Sequence, residues 1–243
     1  QINDNLLSLL DGYELDVPGN DVSFSYGGNY IIVADTASRV HLLKIEENII
    51  SLTSSYILSG EVESVSFAPD DEYIAVAHTQ APYFTFMKRY KDLIFQANTF
   101  SATGEPARKT IVSPNGKYIG IMTDSSLVIL KRDKNTIQHF WTEPFVNNGV
   151  SFSFSSDNRY IIIVDSLFGF KILKINENNI DNIYGYVPPI SDIKNVSFIN
   201  KNIHIAFNVG DKTKSLYFVE FIDPDKCNEI IYYPNHLGDI DAI

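Results

Sequence analysis

Cysteine and tryptophan each occur once in this chain, as Cys227 and Trp141, and methionine only twice. A lone cysteine excludes an internal disulfide framework and a thiolate metal cluster. That usage suits a reducing compartment, and it suits equally an extracellular β-protein that needs no cross-links. No apolar run approaches the roughly 18 residues that a membrane-spanning helix requires. Positive charge is also scarce, with 19 Lys and Arg against 30 Asp and Glu and a net charge of −11. This balance disfavours nucleic-acid phosphates and anionic membrane surfaces as partners, and otherwise serves solubility. Several chemical signatures are missing too. His41, His78, His139, His204 and His236 show no zinc-ligand spacing. There is no glycine-rich phosphate loop and no G-x-S-x-G elbow. The sequence therefore implies no cofactor and no metal.

What is present is periodicity. Hydrophobic residues make up 44% of the 243 positions, enough for a packed core. Tyr30, Tyr73, Tyr118, Tyr160 and Ile203 recur in one context at spacings of 43, 45, 42 and 43 residues. A period in this range means one supersecondary unit per repeat. Each unit opens on a short alternating segment such as Val65–Phe67, whose period of two predicts a strand. A polar turn follows, as in Pro69-Asp70-Asp71, Pro114-Asn115-Gly116 or Ser156-Asp157-Asn158. Next comes an apolar run (Ile31–Ala34, Ile161–Val164), then an alternating strand ending in a basic residue (Phe84–Lys88, Lys171–Lys174). Asn48–Leu58, Ile137–Trp141, Ile180–Tyr186 and Glu229–Tyr233 supply a fourth strand. No segment of useful length carries helical periodicity.

Four strands per unit at this period predict an all-β chain, a β-propeller of four-stranded antiparallel blades. A lone sheet with two apolar faces is unstable, and packing blades around an axis buries those faces. The expected division is blades at 20–60, 61–104, 105–146, 147–190 and 191–236. Residues 1–19 are expected to be the outer strand of a preceding blade, because Asn5–Leu15 lies one period before the fourth strand at Asn48–Leu58. Residues 237–243 resemble the start of a further first strand. Five visible blades with a partial one at each end imply six or seven in the full ring of a longer polypeptide; a closed five-bladed ring is the alternative. Gln1 in place of Met leaves targeting unreadable, so virion and cytoplasm both stay open.

The stretch Phe67-Ala68-Pro69-Asp70-Asp71-Glu72-Tyr73-Ile74-Ala75-Val76-Ala77-His78, followed by Ala81-Pro82-Tyr83-Phe84-Thr85-Phe86-Met87-Lys88-Arg89, resembles the WD40-like repeat of bacteria and their phages. Val112–Tyr118 carries the same motif. The Trp-Asp and Gly-His pairs of eukaryotic WD40 proteins are absent, and the fifth repeat departs from the pattern. The resemblance implies a non-catalytic binding or structural propeller with protein partners, such as a structural or attachment component of a phage virion. An intracellular interaction scaffold and a propeller lactonase or hydrolase with an axial metal are the alternatives. A glycan-binding propeller would need an equivalent aromatic pocket in every blade, and the loops differ too much for that.

Two constellations stand out as candidate sites. Five residues after each reference position come Asp35, His78, Thr123, Asp165 and Asn208, a predicted polar ring on one face. Such a ring could hold a ligand or cation near the axis, or the residues could simply terminate strands through local hydrogen bonds. Among the fourth-to-first connections, the one with Tyr186, Pro188, Pro189 and Ile190 is the most apolar and is a candidate protein contact.

Overall fold

The computed structural model describes residues 11–99, 103–146, 148–166, 169–186, 193–198, 204–209, 216–223 and 226–233, with side chains to residue 198 except 98, 99, 184 and 186. Among the described residues, twenty strands form five sheets. Blade 1 comprises β1 (Gly19–Phe24), β2 (Tyr30–Asp35), β3 (Arg39–Glu46) and β4 (Ile49–Ile57). Blade 2 comprises β5 (Val62–Phe67), β6 (Tyr73–His78), β7 (Phe84–Tyr90) and β8 (Leu93–Thr99). Blade 3 follows with β9 (Lys109–Val112), β10 (Tyr118–Met122), β11 (Ser126–Asp133) and β12 (Thr136–Pro144). Blade 4 has β13 (Gly149–Phe154), β14 (Tyr160–Asp165), β15 (Gly169–Ile175) and β16 (Ile180–Tyr186). Blade 5 has β17 (Ile193–Phe198), β18 (His204–Val209), β19 (Leu216–Asp223) and β20 (Lys226–Tyr233). Every sheet is an antiparallel meander in chain order. This is the predicted all-β propeller architecture.

Local chemistry repeats with the strands. The turn between the first and second strands has one geometry in blades 1 to 4. The amides of Ser25, Ala68, Ser113 and Ser155 donate to the carbonyls of Tyr30, Tyr73, Tyr118 and Tyr160. Two residues before each tyrosine the backbone enters positive φ, at Gly28, Asp71, Gly116 and Asn158. Glycine, asparagine and aspartate tolerate that region best, which is why these types recur there. A bulge interrupts the pairing of third and fourth strands at the same rung in blades 1 to 4, for example at Leu42/Leu43 and Phe86/Met87, and one residue further on, at Val219/Glu220, in blade 5. Such bulges sharpen the strand twist that a propeller blade needs.

The core lies between blades. Ile32, Ala34, Val40 and Leu42 of blade 1 pack on Val65, Phe67, Ile74 and Val76 of blade 2. Like clusters fill the junctions of blades 2 with 3 and 3 with 4. The first strand of each sheet is an edge, and in blades 2 and 3 its unpaired amides are met by side chains of the preceding blade. Asp21 Oδ2 and Ser23 Oγ accept from the amides of Val65 (2.9 Å) and Phe67 (3.1 Å). Ser64 Oγ and Ser66 Oγ accept from Thr110 (3.2 Å) and Val112 (3.0 Å). Buried amides need such partners. The recurring tyrosines wedge between sheets: Tyr30 OH donates to Asp92 Oδ1 of the next blade at 2.7 Å, and Tyr73 OH donates to Asn135 Oδ1.

Two expectations change. The register places His204, not Ile203, at the recurring position, since His204 pairs with Glu220 as Tyr30 pairs with Lys44. Residues 11–15, the described part of the expected outer strand Asn5–Leu15, are not a strand. Asp11 Oδ2 instead accepts from the Ile50 amide of β4 at 2.7 Å. Residues 1–10 and 234–243 lie outside the described residues.

Candidate functional site at the axial mouth

Within the predicted polar ring, Asp35 and Thr123 lock their own turns. Asp35 is buried, and its carboxylate accepts four hydrogen bonds inside blade 1. Oδ1 takes the amides of Ala37 and Arg39 at 2.9 Å each, and Oδ2 takes Arg39 Nε at 2.8 Å and His41 Nε2 at 2.9 Å. Burial alone would raise this carboxyl, but the bonds from His41, the Arg39 amide and the Arg39 guanidinium outweigh it and hold it below the usual carboxylate range. His78 is buried with Nε2 3.0 Å from Thr85 Oγ1. Burial pushes its pKa down, only partly opposed by a backbone bond at Gln80. Thr123 Oγ1 accepts from the Ser125 and Ser126 amides at 3.3 and 3.0 Å and donates to the Ser126 carbonyl. Asp165, also buried, pairs with Gly169 across the corresponding turn.

Asn208 is not the fifth member. Asp35, His78 and Asp165 pair with Gly19, Val62 and Gly149, and the residue in that register of blade 5 is Val209, paired with Ile193. The one-residue slip follows from His204 replacing Ile203 as the reference, and in a strand one residue means the opposite face. Of the apolar connection, the Tyr186 side chain and residues 187–192, with Pro188, Pro189 and Ile190, lie outside the described residues.

A different set of equivalent residues does converge. Asp21, Ser64, Lys109, Ser151 and Asn195 occupy the same rung of the five first strands, paired with Ala34, Ala77, Met122, Val164 and Asn208. Ser64 Oγ donates to Asp21 Oδ2 at 2.8 Å. Lys109 Nζ donates to Ser151 Oγ at 2.9 Å and to Asn195 Oδ1 at 3.2 Å, linking blade 3 to blades 4 and 5. Ser151 Oγ donates to the same Asn195 oxygen at 2.5 Å. Burial lowers the Lys109 pKa and the Asp21 charge opposes that shift. Above this polar girdle opens a cavity of about 250 Å³ lined also by Asn20, Glu63, Arg108, Met122, Gly149 and Val150. Burial and the neighbouring Glu61 push the Glu63 carboxyl up, against the pull of Arg108. Arg108 is itself clamped on Asp124, Nε to Oδ1 at 2.5 Å and Nη2 to Oδ2 at 2.8 Å.

The girdle lies nine residues before each second strand, so the repeat spacing alone could have located it. What the spacing does not supply is that these side chains meet. The mouth presents both charge signs, hydroxyls and an amide around a small polar space, which suits hydrogen-bonded capture of a polar group. Among the described residues, no three His, Cys, Asp or Glu side chains are grouped to hold a metal ion.

Together, the five four-stranded antiparallel sheets and their packing define a β-propeller. No family model matches the chain, and no curated protein matches it in sequence. Solved structures do match in shape. A candidate 6-phosphogluconolactonase from Bacteroides uniformis has a TM-score of 0.72 at 12% identity, over 87% of this chain and 69% of that one. A protein from Lactobacillus plantarum has a TM-score of 0.74 at 11% identity, over 89% and 72%. The β-propeller domain of Cps50 (Swd1) from Myceliophteria thermophila has a TM-score of 0.67 at 11% identity, over 90% and 72%. At such identity the likeness concerns the fold alone.

Proposed function

We propose that the chain is a non-catalytic β-propeller that acts through its surfaces as a binding or structural module of a larger assembly, such as a phage particle. The repeat text of residues 64–132 motivates the assignment to bacterial and phage WD40-like repeats. The observation that carries the non-catalytic reading is the full engagement of Asp35. A carboxylate with four protein donors has no lone-pair direction left for a substrate or cation. Thr123 is spent on its turn in the same way.

A second reading, a lactone hydrolase, draws on the axial cavity beside Lys109 and on the shape shared with the Bacteroides uniformis protein. One experiment separates them. The purified chain is incubated with 6-phosphogluconolactone, and its melting temperature is followed with EDTA and with added Ca²⁺. The proposal expects hydrolysis at the buffer rate and a melting temperature unmoved by either addition. Turnover above buffer that Lys109→Met abolishes would overturn it.

A further inference from the structure

Among the described residues, the front face of blade 1 is a finished half-interface without its other half. In blade 2 the equivalent residues Val65 and Phe67 are covered by blade 1 and are 3% and 7% exposed. Phe152 and Phe154 on the same rungs of blade 4 are buried under blade 3. Val22 and Phe24 hold those rungs in β1, with the same Val-Ser-Phe text as Val65–Phe67 and Val196–Phe198, yet they are 53% and 61% exposed. Tyr26, at the end of this row, is 83% exposed.

The remaining features of a covered junction are also in place. In the junctions of blades 1 with 2 and 2 with 3, the hydroxyl of the tyrosine of one blade bonds the residue just before the fourth strand of the next. Those acceptors are Asp92 for Tyr30 and Asn135 for Tyr73. Blade 1 holds Asn48 at that position, immediately before β4. Beneath the ring, the blade 4 junction offers Ile175, which packs in the cluster of Tyr118. The counterpart in blade 1 is Ile45, whose amide bonds Asn29 as that of Ile175 bonds Arg159. An aliphatic seat, a side-chain acceptor and an apolar first strand together specify a tyrosine-bearing sheet as the complement.

We propose that this face docks one further four-stranded blade of the same repeat, carried on polypeptide outside residues 1–243, whose second strand begins with a tyrosine that sits on Ile45 and donates to Asn48. A second copy of this chain is the poorer complement, because its free end is blade 5, where His204 stands in the tyrosine register. The inference holds whether or not the axial mouth is catalytic.

The test compares residues 1–243 with the product of the complete coding sequence, each carrying Val22→Cys or, as a control, Ile57→Cys on the outer rim, where Ile57 is 73% exposed. Maleimide labelling is read peptide by peptide, which separates the new thiol from Cys227. In the complete product, labelling at position 22 should be slower by at least about tenfold, since it must await local opening. Labelling at position 57 should be unchanged, and Asn48→Ala should restore part of the rate at position 22. Equal labelling of position 22 in both proteins overturns the proposal. So does a coding sequence that ends at residue 243, and so does protection that disappears on dilution, which would identify a second copy as the occupant.

Discussion

Gly120→Ala tests the blade-packing argument most directly. Gly120 lies in β10, facing β13 of the next blade, and a Cβ placed there would stand 2.3 Å from Phe152 Cε2 and 2.7 Å from Cζ. Phe152 is fully buried between the two sheets and meets Phe154 edge-on with centroids 6.1 Å apart, so its ring has little room to retreat. The φ of Gly120 is negative or extended, so the conflict is steric and not conformational. Overpacking of this kind costs about 1–3 kcal/mol. Replacing glycine inside a strand returns about 0.5–1 kcal/mol of chain entropy. The net expectation, taken at the centre of the two ranges, is a loss of about 1 kcal/mol. Val65 and Val196 fill the Phe152 rung in blades 2 and 5, so Phe152→Val makes room for the new methyl. Phe152→Val alone should destabilise by leaving a cavity, by about 2–4 kcal/mol. In the double variant the clash vanishes and the added methyl fills part of that cavity. A urea-unfolding double-mutant cycle should therefore show favourable coupling of about 1–2 kcal/mol. Additivity to within about 0.5 kcal/mol would refute the reasoning, as would a neutral or stabilising Gly120→Ala.

Two further outcomes follow from the side chains that close each blade. The ionised Asp35 contributes stability that is fully present above its unfolded pKa of about 3.9 and is lost as pH falls through its lower folded value. Asp35→Asn should thus cost about 1.5–3 kcal/mol at neutral pH, and the deficit should shrink below about pH 4 in melting experiments; a constant deficit would contradict the assignment. Arg132 lies 4.3 Å from the Tyr73 ring centre, bonds Asp70, and backs a stack in which Phe86 lies 4.9 Å from Tyr73 at 6°. Arg132→Lys keeps the charge but loses the planar fork and stack, and should cost about 1 kcal/mol by thermal denaturation.

Much of this was legible in the text because the relevant physics is local. Strand alternation, the positive-φ positions at Gly28, Asp71, Gly116 and Asn158, and the fourth strands at Ile137–Trp141 and Ile180–Tyr186 depend on residues only a few positions apart. The candidate site was less legible. Of the predicted ring, Asp35, His78 and Asp165 end second strands, and Asp35 and Thr123 bond their own turns. Its Asn208 member failed because the fifth repeat has no tyrosine to fix a register whose single-residue slip reverses a strand's faces.

The sequence by itself determined the period, the four-stranded unit and the turn chemistry, since each follows from backbone preferences and hydrophobic alternation within one repeat. Only the tertiary structure decided which equivalent residues act together. Lys109, Ser151 and Asn195 meet because three first strands approach one axis, although they lie 42 and 44 residues apart along the chain. Phe152 finds Gly120 because neighbouring sheets face each other, and Val22 and Phe24 stay in solvent because no described blade lies over them. Contact between blades is a property of how repeats are arranged around the axis, and a single repeat carries its own half of that contact alone.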